Sequence, residues 1–301
     1  MKPGPQTSEA RISDLDAVEK GILWPVVYAS IFGAPIQSSR LWEQTVGVRV
    51  TQEEVWAAMA SLISRGLLVE RDGEIWLHGS ASADAFAVFG RRKRATQDLL
   101  DRHLDILNYV KSLPGVRLAA LSGGCAHGAA VDGDIDIFAI TEPGALWRTL
   151  LRVMLVAKIR GWRRILCMNY LVDATALALP WRDFYSGLEL ISLRPFKGAH
   201  VFGDLLRENL WIDPIFPNFL QSRPNRQNPG NQTSTVSGGR LLEATAKMIQ
   251  QPYLRKRLPP GTGVELSNHV IRLHATDHRP RLRGLFQEAL QNIGLEAPAW
   301  I

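Results

Sequence analysis

The sequence predicts an α+β protein: a mixed sheet with helices, preceded by three helices and a hairpin and followed by a small helical region. Three observations carry that expectation. An apolar run at 118–121 breaks at Gly123-Gly124 and resumes as Asp134-Ile135-Asp136-Ile137-Phe138, which reads as two strands joined by small residues. Residues 51–78 hold a helix start, a helix stop and a tight turn between two apolar runs. Beyond residue 240 the apolar spacing is that of helices.

In chain order, residues 1–12 are polar with two prolines and read as a lead-in without an apolar signal core. Residues 14–32 have helical spacing, with Pro25 expected to kink or interrupt them, and 37–45 suggest a second short helix. Thr51-Gln52-Glu53-Glu54 is a capping box opening a helix to about Arg65, and Gly66 stops it. Asp72-Gly73 then joins 67–71 to 74–78 as a hairpin. Residues 82–112 read as helix, carrying the basic run Arg91-Arg92-Lys93-Arg94, most simply a solvated face, although its place before the glycine turn leaves a contact with phosphate or nucleic acid open. After the glycine turn and the acidic strand, 145–159 read as a helix, 164–172 as a strand ending at Asp173, and 174–179 as a short helix that Asp173 would cap. Residues 221–239 are Ser, Asn, Gln, Gly and Pro, a linker composition. Helices are expected at 240–253, 265–274 and 281–293. The domains are therefore drawn at 1–82, 83–220, 221–239 and 240–301.

The net charge of +6 is uneven: residues 1–90 hold 7 Lys/Arg against 11 Asp/Glu, and the remainder hold 28 against 18. A basic field around a central segment suits a polyanionic ligand. No apolar stretch is long enough to cross a bilayer, and no membrane partner is expected. The two cysteines, Cys125 and Cys167, favour a reduced, cytoplasmic setting and exclude a disulfide framework or a His/Cys zinc cluster. His274 and His278 stand four apart, but no third ligand is near.

The chemistry concentrates between 117 and 140. Strand alternation puts Asp134 and Asp136 on one face, with Ile135 and Ile137 beneath. Two adjacent carboxylates repel unless a cation lies between them, and oxygen ligands suit Mg²⁺ (or Mn²⁺) together with phosphates. A strand, a glycine turn, a short helix and a strand bearing Asp-x-Asp resemble the nucleotidyltransferase domain of the DNA polymerase beta superfamily. Gly123 and Gly124 match that family's glycine positions, Ala126 and Gly128 its small residues, and Asp134 and Asp136 its acidic pair. The resemblance spans roughly residues 95–200, and the chain is similar to bacterial nucleotidyltransferase-like proteins. It departs where Ser, Arg and Ser are frequent, at Gly124, His127 and Gly133.

The resemblance implies transfer of a nucleoside monophosphate from a nucleoside triphosphate to a hydroxyl acceptor: an RNA end, a small molecule or a protein. Asp134 and Asp136 would hold the metal, and Ser122, Gly123 and Gly124 would meet the phosphates. Asn169 would touch the nucleotide, or else be a satisfied core amide. A third carboxylate is expected from a neighbouring strand, Asp173 as general base, with Glu189 the other candidate or neither. The first module resembles a winged helix-turn-helix. Its expected recognition helix begins with Glu53 and Glu54 and its wing carries Glu70, Asp72 and Glu74, so a structural or protein-docking role is favoured over DNA. Arg40 and Arg49 keep DNA binding open. A non-catalytic nucleotide-sensing or partner-binding regulator is the alternative function.

Overall fold

Asp16 and Glu19 each accept from the other's backbone N–H, a reciprocal capping box that starts helix α1 (Ala17–Ser30). The computed structural model describes residues 14–130, 133–223, 239–258, 263–273 and 277–298. The lead-in at 1–12, most of the 221–239 stretch and His274 lie outside the described residues. Pro25 sits inside α1 without interrupting it. A proline offers no N–H to the carbonyl four residues back, and that carbonyl, of Gly21, accepts from Val46 N–H at 3.0 Å instead.

The rest of the first module follows the local signals. Strand β1 (Ile36–Gln37) leads into α2 (Ser38–Gln44), and the Thr51–Glu54 capping box opens α3 (Gln52–Ser64). Strands β2 (Leu68–Arg71) and β3 (Glu74–Leu77) are joined at Asp72 and Gly73, with φ of 54° and 73°, the left-handed pair a two-residue hairpin requires. The three strands form an antiparallel sheet in the order β1-β3-β2.

Helices α4 (Ala83–Arg102) and α5 (Leu104–Ser112) lead to the main sheet. There follow β4 (Val116–Leu121), the single turn α6 (Gly123–Ala126), β5 (Ile135–Thr141), α7 (Leu146–Ile159) and β6 (Leu166–Asp173). Then come α8 (Phe184–Ser192), β7 (Arg194–Lys197), α9 (Ala199–Arg207), α10 (Pro217–Gln221) and α11 (Arg240–Arg257). The chain closes with β8 (Val264–Leu266), β9 (Val270–Leu273) and α12 (Arg279–Asn292). The six strands run β7-β4-β5-β6-β9-β8, and only β5 and β6 are parallel. The protein is thus of mixed α+β class.

Two expected helices are absent. Over its described part, 265–273, the helix expected at 265–274 is replaced by the β8–β9 hairpin, turning at Ser267, which docks on β6 and buries Ile271. Their short apolar run fits either period, and pairing with an open sheet edge decided it. Residues 174–179 form turns rather than a helix, because the Asp173 side chain accepts from Thr175 N–H two residues on.

Both faces of the main sheet are covered. Ala119, Ile137 and Leu171 face the core made with α5, α7 and α11. Leu118, Phe138, Ile140 and Val172 face a second core that takes in α1, α8, α9, α10 and α12. That second core crosses the boundary drawn at residue 82. Tyr28 packs its ring against Phe184, Tyr185 and Phe286 at centroid distances of 5.3–5.5 Å. The buried Asn218 amide accepts from Val50 N–H and donates to the carbonyls of Trp42 and Val48, and Arg49 pairs with Asp213 at 2.9 Å. The first module is docked on the sheet by apolar packing and by satisfied polar groups.

Candidate active site

The turn after β4 brings bare backbone against the acid pair. Gly123 has φ of 53°, and a Cβ there would come within 2.8 Å of Asp136 Oδ2. At Gly124 a Cβ would lie 2.8 Å from the Ala130 backbone, which explains a glycine where a serine is frequent in the resembled family. Ala130 is in turn held by Thr96 of α4, whose hydroxyl accepts from its N–H at 3.0 Å. Ser122 N–H donates to the Asp136 carbonyl at 3.0 Å, locking the turn to the start of β5. Ser122 shapes the bend through its backbone.

Asp134 and Asp136 are both half-buried and share one face, as alternation predicts. One oxygen of each lies, with Cys167 Sγ, inside a cluster whose atoms are all within 4.8 Å of one another. Asn169 Nδ2 donates to Asp136 Oδ1, and Cys167 Sγ donates to Asn169 Oδ1 at 2.6 Å. Burial first, then the negative field of Asp136 and Asp134, pushes the Cys167 thiol up to about 12, so it stays protonated at neutral pH. Cys125 is pushed up to about 11, chiefly by burial, and donates to the Asp134 carbonyl. The oxygens of the acid pair fit a hard cation such as Mg²⁺ or Mn²⁺.

Asp173 is not in this site. The parallel register sets Asp136 beside Cys167 and Asp173 beside Thr141, at the other end of the strands. The register also shifts between Asp136 and Phe138: Asp136 pairs with Cys167 but Phe138 with Tyr170, one extra residue on β6. Such a bulge reverses the alternation, so Asn169 faces the acids while Leu171 and Asp173 fall on the opposite face. Asp173 is 2 % exposed, and its carboxylate accepts from Gly144 N–H, Thr175 N–H and Thr175 Oγ1–H at 2.6–2.9 Å. It pins two loops. Among the described residues no third carboxylate joins the cluster around Asp134 and Asp136.

The acid pair opens into a cavity of about 420 Å³ between the main sheet and the first module. Gly123, Gly124, Asp134 and Asp136 line one side, and Pro25, Phe32, Pro35, Ile36 and Leu188 give an apolar wall opposite. Three arginines from distant segments line it as well: Arg40 of α2, Arg92 of α4 and Arg194 of β7. Arg92 is steadied by donating to the Phe32 carbonyl, and Arg40 by donating to the Ile191 carbonyl and by Glu43 at 3.7 Å. Burial lowers the pKa of Arg40 and of Arg194, marking guanidinium groups with curtailed hydration that an entering anion would offset.

His127 and Glu189 also line the cavity, with Nε2 and Oε1 4.0 Å apart. The imidazole keeps 40 % relative exposure, directed to the cavity. Desolvation holds it below the usual 6.5; Glu189 pulls it up, and Arg40 and Arg194 push it further down. The sequence signalled His127 as a departure and Glu189 as a candidate carboxylate. Arg92 stood out in its basic run and Arg40 in the first module, but nothing in the sequence joined them to Arg194, since 40, 92 and 194 meet only in the folded chain.

The fold and site together define an α+β protein with an acid pair and an arginine-lined cavity at a glycine turn. No protein-family model matches the chain, and neither does any curated protein or solved structure.

Proposed function

We propose that the chain is a metal-dependent nucleotidyltransferase of the DNA polymerase beta superfamily type, with a winged-helix-like module forming one wall of its substrate cavity. The observation that carries this reading is the joint geometry of Asp134, Asp136 and the Gly123-Gly124 turn at the mouth of a cavity lined by three arginines. Asp134 and Asp136 would hold Mg²⁺ or Mn²⁺, which when bound neutralises phosphate charge and favours in-line displacement at phosphorus. Arg40, Arg92 and Arg194 would bind the remaining phosphate oxygens, and the bare turn lets a phosphate come close to the backbone. The apolar wall of Phe32, Pro35 and Leu188 would seat the base or the acceptor. Asn169 orients Asp136. An acceptor hydroxyl forms its bond to the α-phosphorus, the bridging oxygen bond breaks, and pyrophosphate leaves. His127, kept neutral at pH 7, is the cavity-lining group suited to take the acceptor's proton, with Glu189 beside it.

A second reading has its own support: a nucleotide sensor without transfer, because the cluster lacks a third carboxylate and β6 offers Cys167 and Asn169 there instead. DNA binding by the first module is weakened further, since Arg40 turns into the cavity and Arg49 pairs with Asp213. Incubation with α-labelled nucleoside triphosphates and Mg²⁺ or Mn²⁺ separates the two readings. Transfer by wild type that falls about a hundredfold or more in Asp134→Ala/Asp136→Ala supports the enzyme. Metal-dependent binding without pyrophosphate release supports the sensor, and absence of binding defeats both.

A further inference from the structure

Helix α11 turns an apolar face away from the protein. Its inner side is held fast: Glu243 accepts from the N–H groups of Trp147 and Arg148 at the start of α7, Gln250 donates to the Trp147 carbonyl, and Ala246 and Leu254 are buried. Its outer side carries Leu241, Leu242, Met248, Ile249 and Tyr253, a stripe spaced i, i+1, i+7, i+8, i+12. Leu241 is 84 % exposed and Met248 72 %. On α7, which packs against α11, Leu155 is exposed too and Ile159 is 80 % exposed. Scattered single leucines on a surface are ordinary; a continuous helical stripe of this kind marks a docking surface.

The two helices that carry these residues are strongly basic. Residues 146–164 hold six Lys/Arg and no acid, and α11 holds five Lys/Arg, three of them at its end in Arg255-Lys256-Arg257. The single acid of α11, Glu243, is engaged in capping α7. A second copy of the chain would set these basic helices against each other. A nucleic acid would neutralise the charge but leave Leu241, Met248 and Ile249 in water. An interface that is anionic outside and hydrocarbon within answers both features.

We propose that the outer face of α11, with the exposed edge of α7, is a peripheral docking surface for an anionic lipid bilayer. The aliphatic stripe lies at the boundary of headgroups and acyl chains, and the flanking Arg and Lys meet the lipid phosphates. Among the described residues no helix is long and apolar enough to cross a membrane, so attachment is in the plane of the surface. The expectation of no membrane partner rested on the lack of a spanning segment, which does not bear on a helix that lies flat.

The test is co-sedimentation of the full chain with vesicles of phosphatidylcholine alone and of phosphatidylcholine mixed with phosphatidylglycerol. Binding is expected only to the anionic vesicles, weakened by added salt and reduced about tenfold or more in Leu241→Ser/Met248→Ser/Ile249→Ser. These side chains are exposed, so unchanged circular dichroism will show that the variant keeps its fold. The proposal is overturned if wild type ignores anionic vesicles or if the triple variant binds them equally well. RNA retardation in a native gel without vesicle binding would assign the surface to nucleic acid. A dimer by light scattering that the triple variant abolishes, again without vesicle binding, would assign it to a second copy; either result ends the lipid proposal.

Discussion

The two ends of the parallel β5–β6 pair treat a carboxylate in opposite ways. At one end Asp136 is half-buried, faces a cavity, and has a second acid, Asp134, within the same small cluster. At the other end Asp173 is sealed from water with three donors on its oxygens. The second arrangement contributes stability, because each buried donor and acceptor has found its partner. The first sets like charges close together, an arrangement that a cation between them would relieve. Crowded, partly open acids point to chemistry, and satisfied, closed ones to architecture.

The sharpest break in this comparison is the double substitution Asp134→Ala/Asp136→Ala. It is expected to lower metal-dependent nucleotide binding by about a hundredfold or more by calorimetry, while the melting temperature stays level or rises. Asp173→Ala should do the reverse, losing about 2–4 kcal/mol in urea unfolding while the folded fraction binds nucleotide normally. A stable Asp173→Ala protein with no transfer activity would restore that residue as the third carboxylate. Gly123→Ala lies between the two. Its Cβ meets Asp136 at 2.8 Å and its φ of 53° is left-handed, so about 1–2 kcal/mol of stability and about tenfold in metal affinity should go together.

A smaller effect is expected at Asn169, which stands where a third acid would complete the cluster. Asn169→Asp should tighten Mn²⁺ binding several-fold, read by electron paramagnetic resonance; weaker binding would mean that the amide's donation to Asp136 matters more than added charge. The smallest is the pH response of His127. Its pKa is lowered in the folded state, so the unfolded chain takes up the proton first. Stability should therefore fall as pH drops below 6.5, levelling off beneath the lowered native value, and His127→Gln should flatten that part of the curve.

Much of this could be seen in the chain before it folded. The Thr51–Glu54 capping box, the Asp72-Gly73 turn and the Gly-Gly to Asp-x-Asp spacing act over a few residues, so pattern and structure agree there. The start of α1 is set by the Asp16–Glu19 box, which the helical spacing read over 14–32 did not single out. Asp173 misled because a strand end near the acid pair does not fix which face its side chain takes, and a bulge between Cys167 and Tyr170 shifts the count along β6 by one residue. The helix expected at 265–274 misled because its four apolar residues, Leu266, Val270, Ile271 and Leu273, fit a helix or a strand, and only the free edge of β6 chose between them.

Local order within the chain was enough for the α+β class, the bend at Gly123-Gly124 and the shared face of Asp134 and Asp136, since dihedral preferences and a two-residue period work between neighbours. The cavity was decided by tertiary packing. Arg40, Arg92, His127, Glu189 and Arg194 come from five separate elements or loops. They meet because Tyr28 and Asn218 dock the first module on the sheet by contacts that span more than 150 residues. No window along the chain contains such contacts, because apolar burial rewards proximity in space and is indifferent to distance in sequence.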